Sequence, residues 1–291
     1  MSPADRARRV LRRLVAASAA ERILISSAAL GLSILLGAVL VLIAGRMTTC
    51  TASDAVYYFG TGFCYDPVLV FDRLFLGALG EPFSGGWSPE GQFSVTLRET
   101  TLLIFTGLSV ALAFRAGIFN IGTQGQMVVG GLATAVLVLQ ASNVVSGVVG
   151  AVLLIPFGVV VGAVFGGLYG SIPGLLKAYA DANEVITTIM LNFIATGVTL
   201  YLVSGAFKDP GSAANQTVPL PEYAQFPTVL FGGRQDFSLV ALAFGVLAIG
   251  GLYYLLEHTA FGYDIRTSGL QPDAAEYGGV DAKRTIVASL T

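Results

Sequence analysis

Phe114-Arg115-Ala116-Gly117-Ile118-Phe119-Asn120-Ile121-Gly122-Thr123-Gln124-Gly125-Gln126 is the stretch whose reading decides the fold. Apolar runs flank it, from about Val95 to Ala116 and from Met127 to Leu139. Between them lie one arginine, one asparagine, two glutamines and three glycines. A continuous membrane helix does not tolerate such a cluster facing lipid, because each unpaired polar group in hydrocarbon costs several kcal/mol. Broken backbone at membrane depth survives where it is buried in protein or lines a watery cavity, and transporters place substrate sites at such breaks. Two readings follow: a short loop between two membrane helices, or part of a polar translocation pathway.

Composition supports the membrane setting. The chain is 54% hydrophobic and only 12% charged, whereas soluble domains carry about 25% charged residues. The fold class expected is all-α, a polytopic transmembrane helical bundle with a broken helix. The formal net charge of -2 says nothing about partners. The one basic run is short and adjoins an apolar segment, so nucleic-acid binding is not expected. With one histidine, His258, there is no histidine cluster for a metal. Neither a zinc-peptidase motif nor a phosphate-cradling P-loop occurs, so any ATPase must be another chain.

The expected layout begins with a basic tail over residues 1–22, holding Arg6, Arg8, Arg9, Arg12, Arg13 and Arg22. The following run, Ile23 to Ala44, exceeds the apolar core of a signal peptide and matches a bilayer span, so a retained helix is expected. Outer loops are expected over 45–93 and 204–236, with a short interfacial helix from Val68 to Leu79. Spans are expected at about 23–44, 95–116, 127–139, 148–169, 185–203 and 239–256, with all of 23–291 forming one permease domain. Another span begins near Thr285, only seven residues from the last residue, Thr291. The expectation is therefore a chain cut short within its C-terminal spans.

A cytoplasmic N-terminus puts eleven Lys and Arg on the inner side and five on the outer, Arg46, Arg73, Arg98, Lys208 and Arg234. That bias obeys the positive-inside rule, which was not used to choose the spans. Cys50 and Cys64 then share the first outer loop, where an oxidising compartment permits a disulfide. Spacing leaves a bond and two free thiols equally open.

Gly158, Gly162, Gly166, Gly170 and Gly174 recur every four residues and put a smooth stripe on one helix face, suited to close packing. Pro156 is expected to bend that helix, and Pro173 lies near its end. Asp181 or Asn183 suits the cap of the next helix, and Glu184 its first turn. Thr188 and Asn192 share one face of that helix, either as interhelical glue or as pathway. Farther on, Pro272 suits a first turn and Gly278-Gly279 a helix end, giving a one- to two-turn cytoplasmic helix over 270–279. Its small residues let a partner approach closely.

These three stretches, Phe114–Gln126, Glu184–Asn192 and Gly269–Arg284, together resemble the permease subunits of ABC importers for simple sugars and nucleosides. That group lies in the branched-chain amino acid/ribose permease superfamily. The match covers roughly Val95 to Leu290. The family's first motif usually reads F-R-A-G-x-F-N-I-G-x-E-G-Q, and here Gln124 replaces the glutamate. The resemblance implies two permease chains, identical or different, two cytoplasmic ATPase subunits carrying ATP and Mg, and an external solute-binding lipoprotein. It implies no cofactor in this chain itself, and a plasma-membrane location with a cytoplasmic N-terminus. It makes Gly269, Pro272, Ala274, Ala275, Tyr277 and Gly278 part of a coupling helix that docks on the ATPase. It makes the break and the Glu184–Asn192 helix walls of the pathway.

The leading expectation is thus a non-enzymatic transporter subunit working by alternating access. Asn120, Gln124, Gln126, Thr188 and Asn192 are its polar pathway candidates, and Phe119 offers an apolar or stacking face. An ion-coupled secondary transporter is the alternative, although no acidic residue sits convincingly in mid-span. An intramembrane enzyme lacks any nucleophile–base or metal constellation.

Overall fold

Leucine, isoleucine, alanine and valine fill Ala19–Met47, with no proline to interrupt them, and this stretch forms the continuous helix α1. The computed structural model describes residues 19–51, 55–58, 60–80, 82–83, 89–228, 230 and 237–291. The expected basic tail lies outside the described residues except for its last four positions. The chain forms two compact units, Met1–Phe93 and Ser94–Thr291.

In the first unit α1 is followed by a small antiparallel hairpin, β1 Val56–Tyr58 and β2 Thr61–Phe63. Gly60, at φ 77°, makes its turn. A disulfide joins Cys50 to Cys64 beside the hairpin. The short helix α2, Pro67–Phe71, starts where Asp66 accepts a hydrogen bond from the Val68 N–H at 2.8 Å. The helical path then loosens through Asp72–Leu76 and tightens through Gly77–Leu79. Closing a loop of this length by a disulfide is worth about 3 kcal/mol in the chain-entropy account. Replacing Cys50 and Cys64 by serine is therefore expected to lower the melting temperature of the protein measured without reductant. Identical melting of the wild type and the double variant would contradict a stabilising role.

The second unit is helical: α3 Ser94–Arg115, α4 Thr123–Ser142, α5 Gly147–Ala180, α6 Glu184–Ser204, α7 Leu239–His258, α8 Ala260–Leu270, α9 Pro272–Tyr277 and α10 Ala282–Leu290. Together with α1, five of these are long and apolar enough to cross a membrane, six spans among the described residues. The molecule is a polytopic all-α membrane protein.

Three features differ from the sequence reading. The helix expected to end near Tyr169 runs on through Pro173 to Ala180. At 34 residues it is about 51 Å long, well beyond a hydrocarbon core of about 30 Å. Second, the segment after His258, for which no element was expected, is helical. Thr259 turns the chain, its hydroxyl accepts from the Gly262 N–H at 3.0 Å, and α8 follows. Third, a 3-10 turn at Glu222–Ala224 folds the later loop back onto α4 and α5, where Ala224 is buried with Val138 and Leu154.

The glycine stripe of α5 divides its work. A Cβ at Gly158 would meet Thr134 and Val138 of α4, and one at Gly162 would meet Thr134. On the same interface a Cβ at Gly130 would sit 2.7 Å from the Gly162 carbonyl oxygen, and Thr134 donates to the Gly158 carbonyl at 3.1 Å. The lower part of the stripe serves α10 instead, since Gly170 and Gly174 lie against Leu290 and Val287. Small residues admit both neighbours at backbone distance, the common device of helix packing in lipid.

Candidate functional site

Helix α3 stops because its last turn is closed from within. The Gly117 N–H donates to the Phe114 carbonyl at 3.1 Å, and the Ile118 N–H to the Ala113 carbonyl at 2.9 Å. Gly117 adopts φ 75°, the left-handed conformation of a Schellman cap, and Ile118 packs in the same buried cluster as Ala113. The chain then crosses residues 119–121 outside any helix and enters α4 at Thr123.

Side chains hold this break. Asn120, only 2% exposed, accepts from the Gly122 N–H at 2.8 Å and donates to the Ser109 hydroxyl at 3.4 Å. From α6, Asn192 accepts from the Gly125 N–H at 2.8 Å and donates to the Ile121 carbonyl at 2.8 Å. One amide thus caps the start of α4 and satisfies a carbonyl of the break. Thr188, one turn earlier, has no exposed surface, donates to its own helix at Glu184, and lies where a Cβ on Gly122 would touch it at 3.3 Å. The Tyr169 hydroxyl donates to the Leu191 carbonyl at 2.7 Å and braces α6 against α5.

A cavity of about 380 Å³ opens beside the break, between α3, α4 and α5. Its polar lining comes from Thr106, Ser109, Thr123, Gln126 and Thr291, and its apolar lining includes Phe105 and Met127. None of the lining side chains is charged. Gln126 spans the wall: its amide donates to the Leu290 carbonyl at 2.9 Å, and its oxygen accepts from Ser109 at 3.4 Å. Volume and lining suit a small neutral molecule with hydroxyl or amide groups.

Of the residues singled out from sequence, Gln126 lines this cavity. Asn120, Thr188 and Asn192 stand behind it with their hydrogen bonds directed into the protein. Phe119 and Gln124 are exposed and outside its lining; the Phe119 ring packs on Phe114 at 5.1 Å between centroids. The sequence reading missed Phe105, Thr106 and Ser109. Their signal was available, since Leu102, Phe105, Thr106 and Ser109 follow the i, i+3, i+4, i+7 rule of one helix face.

The expected coupling segment is a helix, α9, with Pro272 in its first turn, Gly278 as cap and Gly279 at φ 86°. Tyr277 is 96% exposed and Ala274 is exposed, whereas Ala275 is 6% exposed and faces its own chain. The expectation that both alanines meet a partner is thus narrowed to Ala274. Gly269 does not face outward either: a Cβ there would overlap the Arg115 carbonyl oxygen, and one on Gly117 would meet the Gly269 carbonyl at 2.9 Å. Two glycines let α8 and the end of α3 touch backbone to backbone. Around that contact Ala113, Ala116, Ile118, Leu256, Ile265 and Leu290 form one buried cluster.

Residues 93–291 match the family described as branched-chain amino acid transport system / permease component. The chain is 32% identical to the nucleoside ABC transporter permease protein NupB of Lactococcus lactis, over 78% of its own length and 60% of the relative's. It is 30% identical to the guanosine ABC transporter permease protein NupP of Bacillus subtilis, over 76% and 59%. A glucose ABC transporter permease protein of Haloferax volcanii is 29% identical, over 74% and 55%. The chain thus spans little more than half the length of these curated relatives. No solved structure matches it.

Proposed function

Because the chain belongs to the family of branched-chain amino acid transport system / permease components, we propose that it is the membrane-spanning subunit of an ATP-driven ABC importer for nucleosides or simple sugars. A neutral, partly apolar cavity suits such solutes, and the names of the relatives point to the same classes. ATP and Mg act on partner ATPase subunits, not on this chain. A second permease chain completes the pathway and an external solute-binding lipoprotein delivers the solute. The protein sits in the plasma membrane with its N-terminus and α9 on the cytoplasmic side.

The observation that carries the reading is the continuity between α9 and the break. The ATPase moves α9; α9 follows α8 with one residue between them. Helix α8 bears on Arg115–Gly117 through Gly269, within the cluster that also buries Ile118. Close-packed interiors transmit displacement instead of absorbing it. The break therefore shifts with α9, carrying Asn120 and the start of α4, and Gln126 with them. Cavity access alternates as this unit moves against its neighbours. In this account Gln126, Thr106 and Ser109 touch solute. Asn120, Thr188 and Asn192 hold the wall from behind, while Phe119 and Gln124 extend the pathway beyond the cavity.

Ala274→Arg places a charge on the outward side of α9 beside Tyr277. It is expected to abolish co-purification of the ATPase while membrane insertion is unchanged. Undiminished co-purification would remove α9 from the ATPase interface. Ala275→Arg is a poor test, because a buried arginine would disrupt α9 itself.

The function is tested by reconstituting the full-length protein with its ATPase and binding protein. Uptake of labelled nucleosides or monosaccharides is expected to need internal ATP and the binding protein. Uptake driven by an ion gradient with no ATPase present would overturn the proposal.

A further inference from the structure

The segment Pro67–Leu79 belongs by sequence to a loop outside the membrane, yet its contacts fix it at two levels along α1. At the first, the Cys64 N–H donates to the Gly45 carbonyl at 3.0 Å, and a Cβ on Gly45 would meet the Tyr65 nitrogen at 2.9 Å. At the second, a Cβ on Gly37 would lie 3.0 Å from the tip of the Phe71 ring. Gly37 and Gly45 are separated by about 12 Å of helix axis at 1.5 Å per residue. The apolar stretch of α1 runs from Ile23 to Met47, so its midpoint is Leu35. Gly37 is then about 3 Å from the middle of the span. Phe71 reaches that depth.

We propose that Pro67–Leu79 is a re-entrant segment, folding back from the surface along α1 and bedding its apolar face in the acyl chains of the leaflet at the C-terminal end of α1. In the orientation proposed above this is the outer leaflet. The inference itself needs only that α1 spans the membrane.

The exposed surface fits. Leu74 is 70% exposed, and Val68, Phe75 and Leu79 are exposed with it. Leu32, Leu36 and Leu40 of α1 are exposed as well. Apolar side chains exposed on a segment that reaches the depth of Gly37 name acyl chains as the occupant. A re-entrant backbone survives only if its polar groups are satisfied by protein. Asp72 is 4% exposed; its Oδ2 accepts from the Phe83 N–H at 3.0 Å, while its Oδ1 is buried without a hydrogen bond, and Arg73 is not without a partner. The aliphatic stem of Arg73 is long enough to carry its charge toward the headgroups. At the upper end Asp66 caps α2 and accepts from the Tyr58 hydroxyl at 2.6 Å, tying the segment to the hairpin. Gly80, at φ 100°, turns the chain back.

The test uses the full-length protein in liposomes, with Trp87 and every tryptophan outside these 291 residues replaced by phenylalanine. Leu74→Trp and the conservative Phe75→Trp are introduced separately, and Tyr57→Trp on the hairpin is the control. Brominated phosphatidylcholine is expected to quench the tryptophans at 74 and 75 several-fold more than aqueous iodide does. The hairpin control is expected to show the reverse. Iodide quenching at 74 and 75 equal to the control would overturn the proposal in favour of a solvated loop. Protection from both quenchers would overturn it in favour of a protein partner. The two positions report independently, so failure of one variant to fold leaves the other to decide.

Discussion

Asn192→Ala is expected to abolish uptake while the protein still inserts into the membrane. The amide of Asn192 makes two bonds across the α6–break interface, to the Ile121 carbonyl and from the Gly125 N–H, each at 2.8 Å. Alanine leaves both backbone groups without that partner. An unmade buried bond costs about 1–3 kcal/mol, and interhelical bonds in lipid average about 0.6 kcal/mol. Two bonds thus give a loss of about 1–6 kcal/mol. Chain stability survives that, but the position of the break does not, because no other side-chain hydrogen bond among the described residues ties the break or the start of α4 to α6. Asn192→Asp keeps the acceptor for Gly125 but sets a carboxylate against the Ile121 carbonyl, so it is expected to rescue little. Melting in detergent and uptake in liposomes check both effects. Wild-type uptake by Asn192→Ala with unchanged melting would show that the break needs no anchor from α6.

The second large effect is expected from Gly269→Ala. A single methyl group there overlaps the Arg115 carbonyl oxygen and crowds the Ala116 carbonyl carbon, both backbone atoms that no side-chain rotation can move aside. Overpacking of this kind costs about 1–3 kcal/mol, and relief comes by pushing α8 off the end of α3. The exposed side of α9 is untouched, so the ATPase is expected to bind still. Transport falls at least tenfold while ATP hydrolysis continues, which is the signature of uncoupling rather than of misfolding. Gly131→Ala is the matched control: a Cβ at Gly131 meets nothing within 4 Å, and alanine favours a helix interior by about 1 kcal/mol. Coupled transport by Gly269→Ala at the wild-type rate would contradict the proposed route from α9 to the break.

What could be read in the sequence was local. Gly117 and Gly122 announced a break because glycine at such spacing ends helices, and long uncharged runs announced spans. Pro272 and Gly278 announced α9 for the same reason. Where tertiary contact overrides local preference the reading failed. Gly262 and Gly269 look like helix breakers, yet α8 needs them to lie against Leu255 and Arg115. Pro173 was placed near the end of α5, but packing on α4 and α10 carries the helix on to Ala180. The same limit applies at the site. A sequence marks Asn192 as a polar residue in a span without saying whether its amide meets solute or Ile121. It gave no reason to join Thr106 and Ser109 to Gln126, because only the crossing of α3 and α4 brings them together. The depth of Phe71 beside Gly37 was hidden in the same way, inside what composition marks as a loop.

The most direct test of the account is the accessibility of the cavity during turnover. Thr106→Cys puts a reactive thiol in the cavity lining; Cys50 and Cys64 are joined to each other, and any cysteine outside these 291 residues is replaced by serine. The full-length variant is assembled with its ATPase and treated with a membrane-impermeant maleimide from either side. The account predicts that ATP trapped in the ATPase with vanadate moves the labelling from one side of the membrane to the other. It also predicts protection by the transported solute. Labelling at the same rate from the same side with and without trapped ATP would show that this cavity is not the alternating pathway.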